Sequence, residues 1–482
     1  MPEMLIGGEW RQATASEVIE VVNPATEETV DEVPAASVAD IELAVENAKR
    51  AFPGWSTTDV EKRAAILIKV AQLIEENAKE LAAKLTAEQG KPITEAIGEV
   101  NHLAHGIHFY AEAATKVRGA YQELPSAFGP AYGLVIRRPV GVCAAITPYN
   151  FPLTLLGTKV APALAAGNTV VAKPAATTPV ATLAVARLFA EAGVPDGVLN
   201  VVTGSGAAIG DALVGHPDVR RVAFTGSTEV GRHVVSVAGP DLKRVTLELG
   251  GSDPVIICAD ADVDAAVKAV IIGRYWNAGQ ACLGCKRVFV HDSVYDEFVS
   301  QLVERVGRYE PGDGAVKAEK PKLRMGPIHT RAGRDELVAQ LEDGVDRGGE
   351  LLIGGGTTGR DTGYFLEPAV VAEPGEDSRL LREEVFGPVL PVLRFRDFDD
   401  AIRRANDTPY GLGSSIWTHD ARLIHRAAQE IESGMTWVNQ IHYGYDELPF
   451  GGVKASGFGK EHGIEALDSY VELKSLVVGG LA

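Results

Sequence analysis

The chain has 482 residues, 46% hydrophobic and 23% charged, with a formal net charge of −19. That length exceeds one ordinary core and predicts two or three folded units. So acidic a balance excludes nucleic acid and anionic membrane as general partners, because both would repel it.

Four cysteines, Cys143, Cys258, Cys282 and Cys285, are too few for a disulfide framework. The first residues show no basic run leading into an apolar one, and no window of about 18 apolar residues reads as a membrane helix. A cytoplasmic protein is therefore expected. Residues 59–89 predict one long amphipathic helix: Leu67, Val70, Ile74, Leu81 and Leu85 share a face, and Gly90 with Pro92 closes it. Residues 121–139 are strand-like and read as an insertion. From about residue 134, apolar strand-like runs alternate with helical ones. Strands are expected at 134–146, 168–173, 198–203, 221–225, 243–248 and 254–258, with helices near 152–166, 179–192, 206–214 and 228–237. In the 179–192 helix, Thr178 suits the cap, Pro179 the first turn, and Gly193 with Pro195 the end. Such alternation builds a parallel sheet covered by helices, whose ligands bind at the carboxyl ends of the strands. A second stretch of this kind covers 264–445, opening with a helix at 263–277. The 470–478 segment alternates as a strand, and its unpaired edge offers a route to an oligomer.

The polar motifs fall at these strand ends. Gly279-Gln280-Ala281-Cys282 sets a thiol among small residues, where a substrate can approach it; the thiolate would be a nucleophile, and a buried structural thiol is the alternative. Cys285 completes a Cys-x-x-Cys pair, but no second pair or nearby His supplies the four ligands of structural zinc. Glu248-Leu249-Gly250-Gly251 ends a strand with a carboxylate that can reach a cleft and activate water, or simply pair at an edge. Asn150, in Thr147-Pro148-Tyr149-Asn150-Phe151-Pro152, could donate to a developing oxyanion or merely shape a turn. Lys173-Pro174-Ala175 places a fixed cation at a strand end. Gly226-Ser227 opens a helix whose first amides favour an anion. Neither it nor Gly204-Ser205-Gly206 with Gly210 matches the Gly-x-Gly-x-x-Gly dinucleotide fingerprint. His102, His105 and His108 share part of one helix; with no carboxylate cluster beside them they read as surface or interface residues, and no metal is assigned.

In order and spacing, these motifs resemble the aldehyde dehydrogenase superfamily over nearly the whole chain. Downstream, Glu383-Glu384-Val385-Phe386-Gly387-Pro388 and the run from Pro449 to Gly457 continue the match. The resemblance implies an α/β fold: two parallel-sheet Rossmann-like domains and a small β oligomerisation arm. It divides the chain into a cofactor-binding domain (1–119 and 140–250), a catalytic domain (251–455), and the arm with the C-terminal segment (120–139 and 456–482). It also implies that Cys282 forms a thiohemiacetal and then a thioester, that Asn150 with the Cys282 amide forms the oxyanion hole, and that Glu248 activates the hydrolytic water. The implied NAD(P) site comprises Thr147, Pro148, Tyr149, Asn150, Lys173, Pro174, Ala175, Ala176, Gly206, Gly226, Ser227, Leu249, Glu384 and Phe386. Within it, Lys173 and Glu384 would hold riboses, and Gly226 with Ser227 the pyrophosphate. The family binds its dinucleotide without the usual glycine fingerprint. The implied product is a carboxylic acid, made by a homodimer or homotetramer.

Two departures sharpen the expectation. Many NAD-preferring members carry Glu three residues after the Lys, where this chain has Ala176. Without a carboxylate to repel a 2′-phosphate, NADP is expected to be accepted, even preferred, alongside NAD. Thr158 stands where semialdehyde and lactaldehyde oxidisers often carry Arg, which favours a neutral aromatic or short aliphatic aldehyde over those substrates. Pocket walls are expected near residues 154–158, Leu283 and residues 442–448. Three rivals remain: a CoA-acylating relative, against which Glu248 speaks; a catalytically silent structural protein on the same fold; and a thiol ester hydrolase, which leaves the cofactor motifs unexplained.

Overall fold

The computed structural model describes residues 2–125, 129–319 and 322–479. Its larger sheet has eight strands in the order Glu9–Arg11, Met4–Ile6, Leu199–Val201, Thr169–Lys173, Val142–Ile146, Val219–Thr225, Arg244–Glu248, Gly457–Phe458. The five central strands run parallel and antiparallel strands close both edges. Because side chains alternate across a strand, Val170 and Ala172 enter one core while Val171 enters another on the opposite face. Burial on both faces explains why these strands read as unbroken apolar runs.

The second sheet has seven strands: Glu350–Ile353, Ala369–Ala372, Val389–Phe395, Arg287–His291, Pro254–Ile257, Gly413–Trp417 and Met435–Val438. All pairs are parallel except at the Glu350–Ile353 edge. A third, antiparallel sheet joins Val471–Gly479, Ala131–Pro139 and Ala120–Leu124. The expected α/β class with two mainly parallel sheets and a small β unit is what forms. No described helix is long and apolar enough to cross a membrane.

Three local expectations are corrected. The 59–89 helix is two helices, Val60–Glu76 and Ala78–Gln89, broken at Asn77 (φ −99°, ψ 11°), whose side-chain amide donates to the Leu73 carbonyl at 2.8 Å. All five residues of the predicted face still enter one core. Each such burial contributes about 1.5–3 kcal/mol, whereas a lost helical hydrogen bond costs about 1 kcal/mol net. Packing outweighs continuity, so the periodicity survives a break it cannot reveal. The predicted 134–146 strand is also split. Gly141, at φ +129°, separates the third sheet's Ala131–Pro139 from the first sheet's Val142–Ile146. Finally, Thr178 does not cap the Val180–Ala192 helix. Pro179 occupies the cap position, and the buried Glu88 carboxylate accepts from the Val180 and Ala181 amides at 2.7 and 2.9 Å. Gly193 ends that helix in the left-handed region, as expected.

Candidate active site

Three consecutive residues outside the right-handed region aim Cys282. After the Val263–Tyr275 helix, Asn277 (φ 50°), Ala278 (φ 51°) and Gly279 (φ 74°) form a left-handed turn. The two non-glycine residues cost about 1–3 kcal/mol each, so the surroundings must hold them. The Asn277 amide donates to Glu95 at 2.8 Å, and its side chain donates to the Asn150 carbonyl at 2.9 Å. Gln280, fully buried, donates to the Asn277 and Pro327 carbonyls and accepts from the His329 amide at 2.8 Å. A Cβ on Gly279 would run into the Gly387 carbonyl oxygen. Gly279→Ala is therefore expected to displace the thiol and cut kcat by about 10²-fold, while substrate-free cofactor binding changes less. Steady-state kinetics with a fluorescence titration of cofactor check this; unaltered kcat would contradict it.

Among the four free thiols, Cys282 lines a cavity of about 260 Å³, together with Phe151, Thr154, Leu155, Trp276, Leu283, His442, Tyr443 and Phe450. Cys285 packs into the core beneath Gly273, so the Cys-x-x-Cys spacing joins two unlike environments. Burial pushes the Cys282 thiol up to about 12; Glu248 and Glu384 add to this, and the Leu283 amide and Lys286 oppose it.

Glu248 ends its strand buried, and neither side-chain oxygen has a hydrogen-bond partner among the described residues. Burial, and then the charge of Glu461, hold its carboxyl well above the usual carboxylate range; Lys159 and Lys460 pull the other way. Lys159 itself pairs with Glu461 at 2.8 Å and donates to Thr225 at 2.7 Å. Asn150 is buried and donates one side-chain N–H to the Gln280 carbonyl at 3.0 Å, which ties it to the cysteine loop.

The carboxyl edge of the larger sheet gathers most of the remaining predicted residues. The Thr147 amide donates to the Lys173 carbonyl at 3.2 Å, and the buried Thr147 hydroxyl has no partner among the described residues. Pro148 leads into Tyr149, which stacks on His329 at 4.4 Å between ring centroids and meets Phe386 edge-on at 6.2 Å. Among the described residues the Lys173 ammonium donates only to carbonyls, those of Pro174 and Gly204, at 3.1 Å each; burial lowers its pKa to about 8. Ala175 and Ala176 follow, half-buried. Gly206 begins the Gly206–Gly215 helix, capped by Ser205. The Gly226 amide donates to the Glu248 carbonyl at 3.1 Å, and Ser227 caps the Thr228–Ala238 helix. A Cβ on Gly231 would strike Leu249. Glu384 reaches in beside the second sheet: it accepts from the Gly251 amide at 3.0 Å, lies 3.8 Å from the Lys286 ammonium, and occupies the space that a Cβ on Gly250 would take. The Lys286 ammonium lies 4.9 Å from the centroid of the Phe386 ring.

Of the expected pocket walls, Thr154, Leu155, Leu283, His442, Tyr443 and Gly444 line the cavity. Thr158 does not; its hydroxyl donates to Glu461 at 2.8 Å. Sequence reading missed Glu95, Lys286 and His329, which fix or flank the site, Trp276, which walls it, and the positioning role of Gln280 within the cysteine motif. None carries a local signal, because each acts through a partner far along the chain.

The aldehyde dehydrogenase family model matches residues 10–476. The chain belongs to the aldehyde dehydrogenase family. It is an oxidoreductase acting on aldehydes. The chain is 41% identical to phenylacetaldehyde dehydrogenase of Pseudomonas fluorescens, over 99% of this chain and 95% of that one. It is 38% identical to the NADP(+) succinate-semialdehyde dehydrogenase GabD of Escherichia coli, over 99% and 98% of the two chains. Among solved structures, PnpE from Pseudomonas sp. WBC-3 superposes with a TM-score of 0.95 at 38% identity, and its complex with nicotinamide adenine dinucleotide does so over 99% of this chain and 97% of that one.

Proposed function

We propose that this aldehyde dehydrogenase oxidises a neutral aromatic or short aliphatic aldehyde to its carboxylic acid through a thioester on Cys282, and accepts NADP as well as NAD. The carrying observation is the cavity: Phe151, Trp276, Tyr443 and Phe450 line it, and no Lys or Arg is among its described lining residues. Thr158, which favoured a neutral substrate on sequence grounds, lies behind the cavity on Glu461, and the aromatic wall faces the substrate in its place. A carboxylate-bearing semialdehyde would meet no Lys or Arg side chain there.

The residues fit a dinucleotide. Lys173 is a buried cation with only carbonyl partners, Thr147 has an orphaned buried hydroxyl, and the Thr228–Ala238 helix turns its first amides toward the same sheet edge. Lys173 and Glu384 would hold the riboses, and Gly226 with Ser227 the pyrophosphate. Ala176 leaves a 2′-phosphate beside Lys173 unopposed. When bound, the nicotinamide supplies the acceptor for the aldehyde hydrogen.

The chain's own part runs as follows. The Cys282 thiol gives up its proton to solvent, and the sulfur bonds to the carbonyl carbon as the C=O π pair moves onto oxygen. Asn150 has a second side-chain N–H beyond the one given to Gln280, and with the Cys282 amide it stabilises the oxygen as negative charge develops. After oxidation to the thioester, Glu248 takes a proton from water, which attacks the acyl carbon and releases the acid and the thiol. A carboxyl held above its usual range suits a base working near neutral pH. The free thiols suit a reducing compartment such as the cytoplasm. Exposed Tyr121, Leu473 and Val477 make the third sheet the surface for pairing into a homodimer or homotetramer.

The test is a panel of benzaldehyde, phenylacetaldehyde, short alkanals and succinate semialdehyde, assayed with each cofactor. Neutral aldehydes are expected to lead in kcat/KM, and NADP to lie within about tenfold of NAD or above it. Succinate semialdehyde leading by a wide margin would overturn the substrate reading. NAD leading by more than about tenfold would overturn the cofactor reading.

A further inference from the structure

The structure surrounds one buried carboxylate with three imidazoles at the edge of the substrate cavity. Asp446 is almost completely buried. His462 Nδ1 lies 2.8 Å from its Oδ1, His105 Nδ1 lies 2.6 Å from its Oδ2, and His102 Nε2 lies 3.7 Å from Oδ1. These groups come from separate parts of the fold: His102 and His105 from the Ile93–Ala114 helix, Asp446 and His462 from two loops beyond the second sheet. Both His102 and His462 line the cavity that contains Cys282.

We propose that His102, Asp446 and His462 form a binding site for a divalent late first-row transition-metal ion, of the zinc, cobalt or nickel class. One ligand atom from each lies within 4.8 Å of the other two. Ligands about 2.0–2.2 Å from a tetrahedral ion sit about 3.3–3.6 Å apart, so the 2.8 and 3.7 Å separations to Asp446 bracket what is required. Two imidazoles and a carboxylate are the donor set these ions take, and the cavity side leaves room for water or a polar substrate atom as the fourth ligand.

Two further features distinguish the cluster from a plain buried ion pair. His102 Nδ1 is hydrogen-bonded to the Tyr443 hydroxyl at 3.2 Å, which turns Nε2 toward Asp446, as an outer partner does for a metal-ligating histidine. His105 likewise engages the far oxygen of the carboxylate and leaves Oδ1 for the ion. His462 is held at φ +53°, in the left-handed region, and Gly463 follows at φ +65° with its amide donating to the Asp446 carbonyl at 2.8 Å. A non-glycine residue kept in that conformation indicates that the loop specifies where the imidazole points. The helix had offered its histidines without a carboxylate; Asp446 arrives from more than three hundred positions away.

Cobalt(II) is the probe, titrated into the full-length enzyme and followed by its visible absorption. One ion per chain is expected, with ligand-field bands and no near-ultraviolet thiolate charge-transfer band. Asp446→Asn and His462→Asn are each expected to weaken binding at least tenfold, and His108→Ala to leave it unchanged. Because Asp446 and His462 are buried, His102→Gln, at a partly exposed position, is the variant expected to fold in any case, and it should weaken binding at least tenfold as well. A thiolate charge-transfer band would put the ion on Cys282 and overturn the proposal. So would undiminished affinity in His102→Gln, or no stoichiometric binding by the parent enzyme.

Discussion

Replacing Cys282 by alanine is expected to abolish aldehyde oxidation, lowering kcat by about 10⁴-fold or more, while the melting temperature stays near that of the parent. In the proposed reaction the sulfur is the atom to which the substrate bonds, and no other thiol lines the cavity. Cys282 is partly exposed on a turn whose shape depends on Glu95 and Gln280, so its loss leaves the packing intact. A second arm reads the thiol directly. Its pKa is raised, so the reactive thiolate is scarce at neutral pH and grows as pH rises toward the folded value of about 12. Alkylation by iodoacetamide in cofactor-free enzyme should therefore accelerate about tenfold per pH unit between about pH 7 and 10. A plateau in the neutral range would show a thiol already ionised. Retained turnover in Cys282→Ala would remove the proposed chemistry altogether.

Glu248→Gln is expected to separate the two halves of the reaction. The amide keeps the size of the carboxyl but cannot take a proton from water, so hydrolysis of the thioester should slow by about 10³-fold. Rapid mixing should show a burst of reduced cofactor approaching one per active site, followed by a slow steady state; denaturing mass spectrometry of the quenched enzyme should find the acyl group on Cys282. Undiminished steady-state turnover would sink the assignment of Glu248 as the water-activating base. Loss of the burst along with the steady state would move Glu248 to the earlier step, as the group that ionises the thiol.

The residues with a local signature were the ones legible from the chain. Cys282 stands among small residues, Glu248 before paired glycines, Lys173 at the end of an apolar run, and each of these patterns is complete within a few positions. Strand–helix alternation was legible for the same reason: a strand buried on both faces writes its environment into consecutive residues. What stayed hidden was partnership. Glu88 caps a helix more than ninety positions away, Glu95 holds the turn before Cys282, and Thr158 turns to Glu461 and away from the substrate cavity. The break at Asn77 was invisible because both helices feed one core, so the apolar spacing runs straight through it. Nothing in the local composition separates a threonine on a pocket wall from one behind it.

The edge strand beside Glu248 has a consequence for how the enzyme comes into being. Gly457–Phe458 pairs with Leu247 and Glu248, and a Cβ on Gly451 would collide with the Glu248 carboxylate, so the proposed base is seated by a segment more than two hundred positions downstream. A nascent polypeptide emerging from the ribosome thus carries both Cys282 and Glu248 well before the segment that seats the Glu248 carboxylate. Contacts so distant in sequence form late, after the loop between them has been closed at an entropic cost. Under the proposed mechanism, unfinished or C-terminally clipped chains would consequently hold at most a sulfur that can capture an aldehyde, with no seated base to release it.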